Sequence, residues 1–153
     1  MNTDTLSATE IELWLKLMST EGVGDVTAQL LLKTFGLPEQ IFAQSHTSLT
    51  RVVSDRVARA LLGAADDDFK QLLERTCAWG EQACNHIISL SCPTYPQHLL
   101  STADPPILLY AKGRIELLNS PRTLAMVGSR NATAQGIKNT EWFAEELAQG
   151  GCQ

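Results

Sequence analysis

No stretch of this 153-residue sequence is apolar for long enough to cross a bilayer. The N-terminus has neither a basic region nor an apolar signal core, so a cytoplasmic location is the default expectation and no membrane contact is implied. There is no C-x-x-C pair among the four cysteines at 77, 84, 92 and 152, and the three histidines at 46, 86 and 98 are scattered. Neither set has zinc-site spacing, so no metal is expected, and the cysteines read as small apolar residues in a reducing compartment. Excess positive charge is missing too: the net charge is −5. The deficit is local. Residues 1–91 hold 7 Lys/Arg against 12 Asp/Glu, whereas residues 92–153 hold 5 of each. The first half is therefore a poor general binder of polyanions.

What is present in the first half is helical. Ser7, followed by Glu10 and flanked by Leu6 and Ile11, has the spacing of a capping box with a hydrophobic staple. Ile11, Trp14, Leu15 and Met18 then continue one helical face. Gly22-Val23-Gly24 makes a tight turn into a second helix near Asp25, with Ala28, Leu31, Leu32 and Phe35 on its apolar side and Gly36 as its stop. Helix, glycine hairpin, helix is the order of the helix-hairpin-helix motif, which it resembles. In that motif the hairpin N–H groups can hold a phosphate, so Gly22 and Gly24 are possible phosphate contacts. Glu21 and Asp25 flank the hairpin and oppose an anion, which favours packing or protein contact instead. Pro38 opens a short helix and Ser54 to Leu62 gives another. Asp66-Asp67-Asp68 suits the positive end of a helix carrying Phe69, Leu72, Leu73 and Thr76, closed by Trp79 and Gly80. A compact domain of four or five helices over about residues 5–80 is the sum.

The second half turns to strands. His86–Leu90, Ile107–Ala111 and Thr123–Val127 are apolar runs bounded by Pro and Gly, and their unbroken character predicts a sheet covered on both faces. After Gly136, Ile137, Thr140, Phe143, Ala144 and Leu147 fall at helical spacing, with Trp142 placed in the core. A strand followed by a crossover helix needs a returning strand, so the chain is expected to continue past Gln153, and the strands and apolar faces of 92–153 are expected to stay open.

Between the third strand and that helix lies Gly128-Ser129-Arg130-Asn131-Ala132-Thr133-Ala134-Gln135-Gly136. Arg130 stands where a dinucleotide fingerprint would place its second glycine, and no G-K-[ST] follows Gly128, so this is neither a Rossmann dinucleotide loop nor a P-loop. A loop feeding a helix start does suit an anion, with Arg130 as a charged fork and with Ser129, Asn131 and Thr133 able to add hydrogen bonds. Lys112, Arg114, Arg122 and Lys138 make the neighbourhood locally positive in sequence, against Glu116.

Met126 to Gly136 resembles the V-G-S-R-x-x-T-x-x-G signature of the DNA-processing protein DprA family, also called Smf. Tyr95-Pro96-Gln97-His98-Leu99 resembles its Y-P-x-x-L segment, and Pro105 to Gly113 its P-P-x-x-L-[FY]-x-x-G segment. Gly22 to Gly36 resembles the helical domain often found before them. The resemblance implies an α+β chain in two parts: an all-helical SAM-like, helix-hairpin-helix domain over 1–83 and the beginning of an α/β Rossmann-like domain over 84–153. It implies a protein that binds single-stranded DNA and loads the RecA recombinase in natural transformation and recombination. It implies no enzyme activity and no cofactor. Gly128, Ser129, Arg130, Asn131, Thr133, Gly136 and Lys138 are the DNA-binding residues it points to. Self-association is expected mainly through the part of the Rossmann-like domain beyond Gln153, where the family's V-S-G-x-A-x-G-I-D segment would begin. Two other readings stay open. Rossmann-like phosphoribohydrolases share the first glycine loop, although no acid–base pair with catalytic spacing is visible, and residues 1–80 alone could be a protein-interaction module.

Overall fold

A computed structural model describes residues 6–151 as a mixed α+β chain. Two compact units, Met1–Ile115 and Glu116–Gln153, divide it. Cys152 lies outside the described residues.

The first unit opens with α1 (Ala8–Ser19), whose capping box is complete: the Ser7 hydroxyl accepts from the Glu10 N–H and the Glu10 carboxylate accepts from the Ser7 N–H. The buried face is Ile11, Trp14, Leu15 and Leu17 rather than the expected Met18, which is 37% exposed. Thr20 to Gly24 turns the chain into α2 (Asp25–Phe35). Gly36 ends that helix with φ 92°, a left-handed value glycine adopts without strain. Four further helices follow, α3 (Pro38–Phe42), α4 (His46–Leu49), α5 (Asp55–Leu62) and α6 (Asp67–Gly80). Among the described residues six helices thus stand where four or five were expected; the extra one, α4, is a single turn capped by Ser45, too short to leave a periodic pattern. Ser54 caps α5 and Asp66 caps α6, so the acidic triplet serves the helix start, with Asp67 also bound to Lys70.

Strands β1 (Asn85–Ser89) and β2 (Leu108–Lys112) pair antiparallel, Ile87 opposite Tyr110 and Ser89 opposite Leu108. Their connection holds four prolines and only the four-residue α7 (Gln97–Leu100), so nothing serves as the crossover a parallel pair requires. The expectation of a sheet covered on both faces holds for β1, where four of five residues are buried, and fails for β2, where Leu108 is buried, Leu109 and Ala111 are half-buried, and Tyr110 and Lys112 are exposed. The helices and this hairpin share one core: Leu15, Leu31, Ile41 and Leu61 pack in the same cluster as Ile87, Ile107 and Leu108. That shared burial carries the compact unit to Ile115. Within residues 92–115, Tyr95, Ile107 and Leu108 are buried, whereas Leu100 and Tyr110 stay exposed, so the apolar surface is covered in part. Two polar ties reinforce it. Buried Gln29 of α2 donates to the Pro105 carbonyl at 2.9 Å, and the Tyr95 hydroxyl donates to the Pro106 carbonyl at 2.7 Å.

The 3-10 turn Ile115–Leu117 straddles the division, and the second unit holds the 16-residue α8 (Ala134–Gln149). Thr123–Val127 is not a strand here. A strand exists only through ladder bonds to a neighbour, and among the described residues none pairs with these; Leu124 is 54% exposed and Val127 97%. Trp142, expected in the core, is 58% exposed and packs edge to face on Phe143. Cys84 also departs from its expected apolar role: it is exposed, with φ 64°, in the turn before β1, where its carbonyl accepts from Gly113. No helix of the described residues is long and apolar enough to cross a membrane.

Candidate nucleic-acid interface

The glycine hairpin and the glycine loop lie in different units, and each has its own geometry. At the hairpin, Gly22 has φ 82°, and a Cβ there would stand 2.9 Å from the Val57 side chain. Only glycine fits the backbone and the space together. Gly24 is the N-cap of α2 with no side chain completing the cap, and a Cβ there would meet nothing. Glu21, expected to repel an anion, forms an ion pair with Arg56 of α5. Both partners are largely exposed, so the pair offsets charge without anchoring the turn.

In the second unit, Arg130 and Asn131 form a turn ahead of α8. The Asn131 N–H donates to the Ser129 hydroxyl at 3.2 Å. Thr133 is the N-cap, its hydroxyl accepting from the Gly136 N–H at 3.1 Å. The helix therefore begins at Ala134, three residues earlier than the spacing after Gly136 predicts, because the Thr133 cap precedes the first apolar position. That cap uses the Gly136 N–H. The N–H groups of Ala134 and Gln135 ahead of it have no intrahelical acceptor and point out of the positive end of a four-turn helix. Arg130 and Lys138 are exposed, and among the described residues no ion pair holds either.

Gly128, Ser129 and Gly136 come together on a cleft of about 300 Å³ between the loop and α8. Arg130, Asn131, Thr133 and Lys138 do not line it. Glu141 does, with Met126 and Ile137. Sequence reading missed this carboxylate, although its phase, four and five residues after Ile137 and Gly136, could have placed it on the loop-facing side. An acid there makes the cleft itself a poor seat for phosphate. Arg130, Ala134 and Gln135 are not among the residues that line it. Among the described residues no group of acids, histidines and cysteines could hold a metal.

Residues 86–153 match the family described as DNA recombination-mediator protein A. The chain is 36% identical over 104 residues to the DNA processing protein DprA of Bacillus subtilis (strain 168), an alignment covering 67% of this chain and 35% of that protein. It is 45% identical over 53 residues to the DNA processing protein DprA of Streptococcus pneumoniae (strain ATCC BAA-255 / R6), covering 35% of this chain and 18% of that one. These alignments span about a third of the first relative's length and less of the second's. No solved structure matches the chain.

Proposed function

The chain is a DprA-family protein, and from that premise we propose that the protein binds single-stranded DNA along the Gly128–Gly136 loop and delivers it to the RecA recombinase during DNA uptake and recombination. It acts by positioning, with no catalysis of its own and no cofactor, and its place of action is the cytoplasm. In this reading residues 1–83 are a SAM-like, helix-hairpin-helix domain and residues 84–153 begin a Rossmann-like domain whose remainder carries most of the self-association. The observation that carries the proposal is an exposed Arg130, unclaimed by any acid among the described residues, beside the capped start of α8.

A phosphate at the start of α8 meets the Arg130 fork and the N–H groups of Ala134 and Gln135. The Ser129 and Thr133 hydroxyls accept within the loop and remain free to donate outward. Asn131 adds an amide, and Lys138, one turn into α8, adds charge to the approach. Gly128 keeps the backbone open, since no atom stands within 4 Å of where its Cβ would be. Gly22 and Gly24 offer a secondary contact, weakened by the acids around the hairpin. Such contacts carry no base information, so selectivity among sequences is low.

The test is fluorescence anisotropy of labelled oligo-dT against salt for wild type, Arg130→Ala and Arg130→Lys, with thermal unfolding as control. Arg130→Ala is expected to weaken binding equally across sequences and to lower the salt slope by about 0.7, the value of one phosphate on a single strand. Arg130→Lys is expected to recover part of the loss, keeping charge but not the planar fork. Unchanged affinity and slope in a folded Arg130→Ala protein would remove the loop from the DNA path.

A further inference from the structure

The first unit contains a cavity unconnected with that reading. It lies among the start of α1, the end of α6 and β1, with a volume of about 370 Å³, within the range of small-molecule sites. Leu6, Ile11, Cys77 and Ile87 give it apolar walls, and Glu81 and Asn85 are its polar lining at the α6 end.

Asn85 is 6% exposed. Its Nδ2 donates to the Trp79 carbonyl at 2.8 Å and to the Gln82 Oε1 at 3.3 Å. A backbone carbonyl only accepts, so the amide cannot be turned over, and the Oδ1 is left buried with no donor among the described residues. Two further features point the same way. The last turn of the 14-residue α6 carries no basic residue, and its C-cap is Glu81, an acid at the negative end of a helix dipole. A cation is the group that end lacks. Acceptors thus meet apolar walls, and no Lys or Arg is among the lining residues.

We propose that this cavity binds an organic cation, a hydrogen-bond-donating ammonium or guanidinium head on an apolar stem. The head lies between the Glu81 carboxylate and the end of α6 and donates to Asn85 Oδ1, with a small opening of the amide's surroundings. The stem lies against Leu6, Ile11 and Ile87. An anion faces the Glu81 carboxylate, the Asn85 Oδ1 and the carbonyl end of α6 here, and a neutral apolar ligand leaves the Oδ1 as it is.

The experiment titrates the isotope-labelled 153-residue chain with benzylammonium, benzyl alcohol and phenylacetate at neutral pH, followed by NMR. Saturable shifts are expected at the Asn85 side-chain amide and at Gly80, Glu81 and Ile87, with benzylammonium at least tenfold tighter than benzyl alcohol and phenylacetate inert. Glu81→Gln, an exposed change, should weaken benzylammonium several-fold and leave benzyl alcohol unaltered. Benzylammonium should also slow iodoacetamide alkylation of Cys77 while sparing the rate at exposed Cys84. An acetylated Ala-Lys-Ala amide compared with n-butylammonium separates the two sources of such a head: tighter peptide binding assigns it to a partner's lysine, tighter amine binding to a free amine. Equal affinity for benzylammonium and benzyl alcohol, an unaffected Glu81→Gln, or shifts away from these residues would each overturn the proposal.

Discussion

Replacing Tyr95 by Phe isolates one hydroxyl. The ring is 1% exposed, so its packing is retained, and what disappears is the 2.7 Å bond to the Pro106 carbonyl. Leaving that acceptor without its donor costs about 1.5 kcal/mol, within the range for a hydrogen bond lost on one side only. The unit that holds Tyr95 spans Met1–Ile115. At about 2.1 cal/mol/K of unfolding entropy per residue, that loss lowers its Tm by about 6 °C. The pH dependence supplies a second, sharper test. Burial, and secondarily the Asp25 carboxylate, raise the Tyr95 pKa above its ordinary value of 10.0. The folded chain then holds this proton more tightly than the unfolded chain does. The resulting stability is complete below pH 10 and declines as pH rises towards the folded value, because the unfolded tyrosine ionises first. Thermal unfolding by circular dichroism, with both proteins scanned from pH 7 to pH 11, should therefore show a gap of about 6 °C that is constant up to pH 9 and narrows above pH 10. A gap under about 1 °C would mean the Pro106 carbonyl loses nothing. A gap indifferent to pH would mean the phenol is not held in its neutral form by burial.

Gly22→Ala meets both a left-handed φ of 82° and the Val57 side chain 2.9 Å from the new Cβ, so a loss of about 1–2 kcal/mol is expected by denaturant titration, whereas Gly24→Ala, in open space, should cost under about 1 kcal/mol; equal losses would show that the hairpin is not constrained at Gly22. Leu31→Ala empties a fully buried position in the shared core and should cost about 2–5 kcal/mol in the same assay, and a value near zero would mean that α2 does not anchor it. Ser7→Ala should cost about 1 kcal/mol through the lost cap. Ser7 also holds the Glu10 carboxyl below its ordinary 4.5, through its N–H first and its hydroxyl second; that stability is present above pH 4.5 and lost as pH falls through the folded value. The variant keeps the N–H and loses the hydroxyl's share, so its stability should fall somewhat less steeply on acidification, and an identical acid limb would show that the hydroxyl does not hold the carboxylate.

The helical half was legible because its signals are local. Ser7 with Glu10, Ser54, Pro38 and Asp66 announce helix starts within one turn of sequence, and the structure places each where its spacing says. Errors there are of phase and size, Leu17 for Met18 and the single turn of α4. The strand half was less legible because pairing is not local. His86–Leu90 and Ile107–Ala111 were located to within a residue or two, but nothing in either run states that they meet antiparallel. That follows from a proline-rich connection with only one helical turn in it. Thr123–Val127 has the composition of a strand and, among the described residues, none of its bonds. At the loop, Thr133 and Gly136 were identifiable as residues, but their use as cap and capped N–H depends on where α8 begins, and Glu141 enters the cleft only once that phase is known.

A difference in accounting separates the three motifs that carried the resemblance. Tyr95 is buried and donates to Pro106, and Pro105 accepts from Gln29. The first two motifs thus bind to each other and to α2, and Tyr95 and the Pro105 and Pro106 carbonyls are engaged in holding the first unit closed. Those groups are unavailable to a ligand without cost to the fold. The third motif is the reverse. Its internal bonds, Asn131 to Ser129 and Gly136 to Thr133, fix the loop's shape and leave the Arg130 guanidinium and two helix-start N–H groups outside. A motif can persist for packing or for binding, and the sequence pattern is alike in both cases. Saturation of its polar groups distinguishes them here: damage to the first two motifs should appear as lost stability, and damage at Arg130 as lost affinity in a protein that still folds.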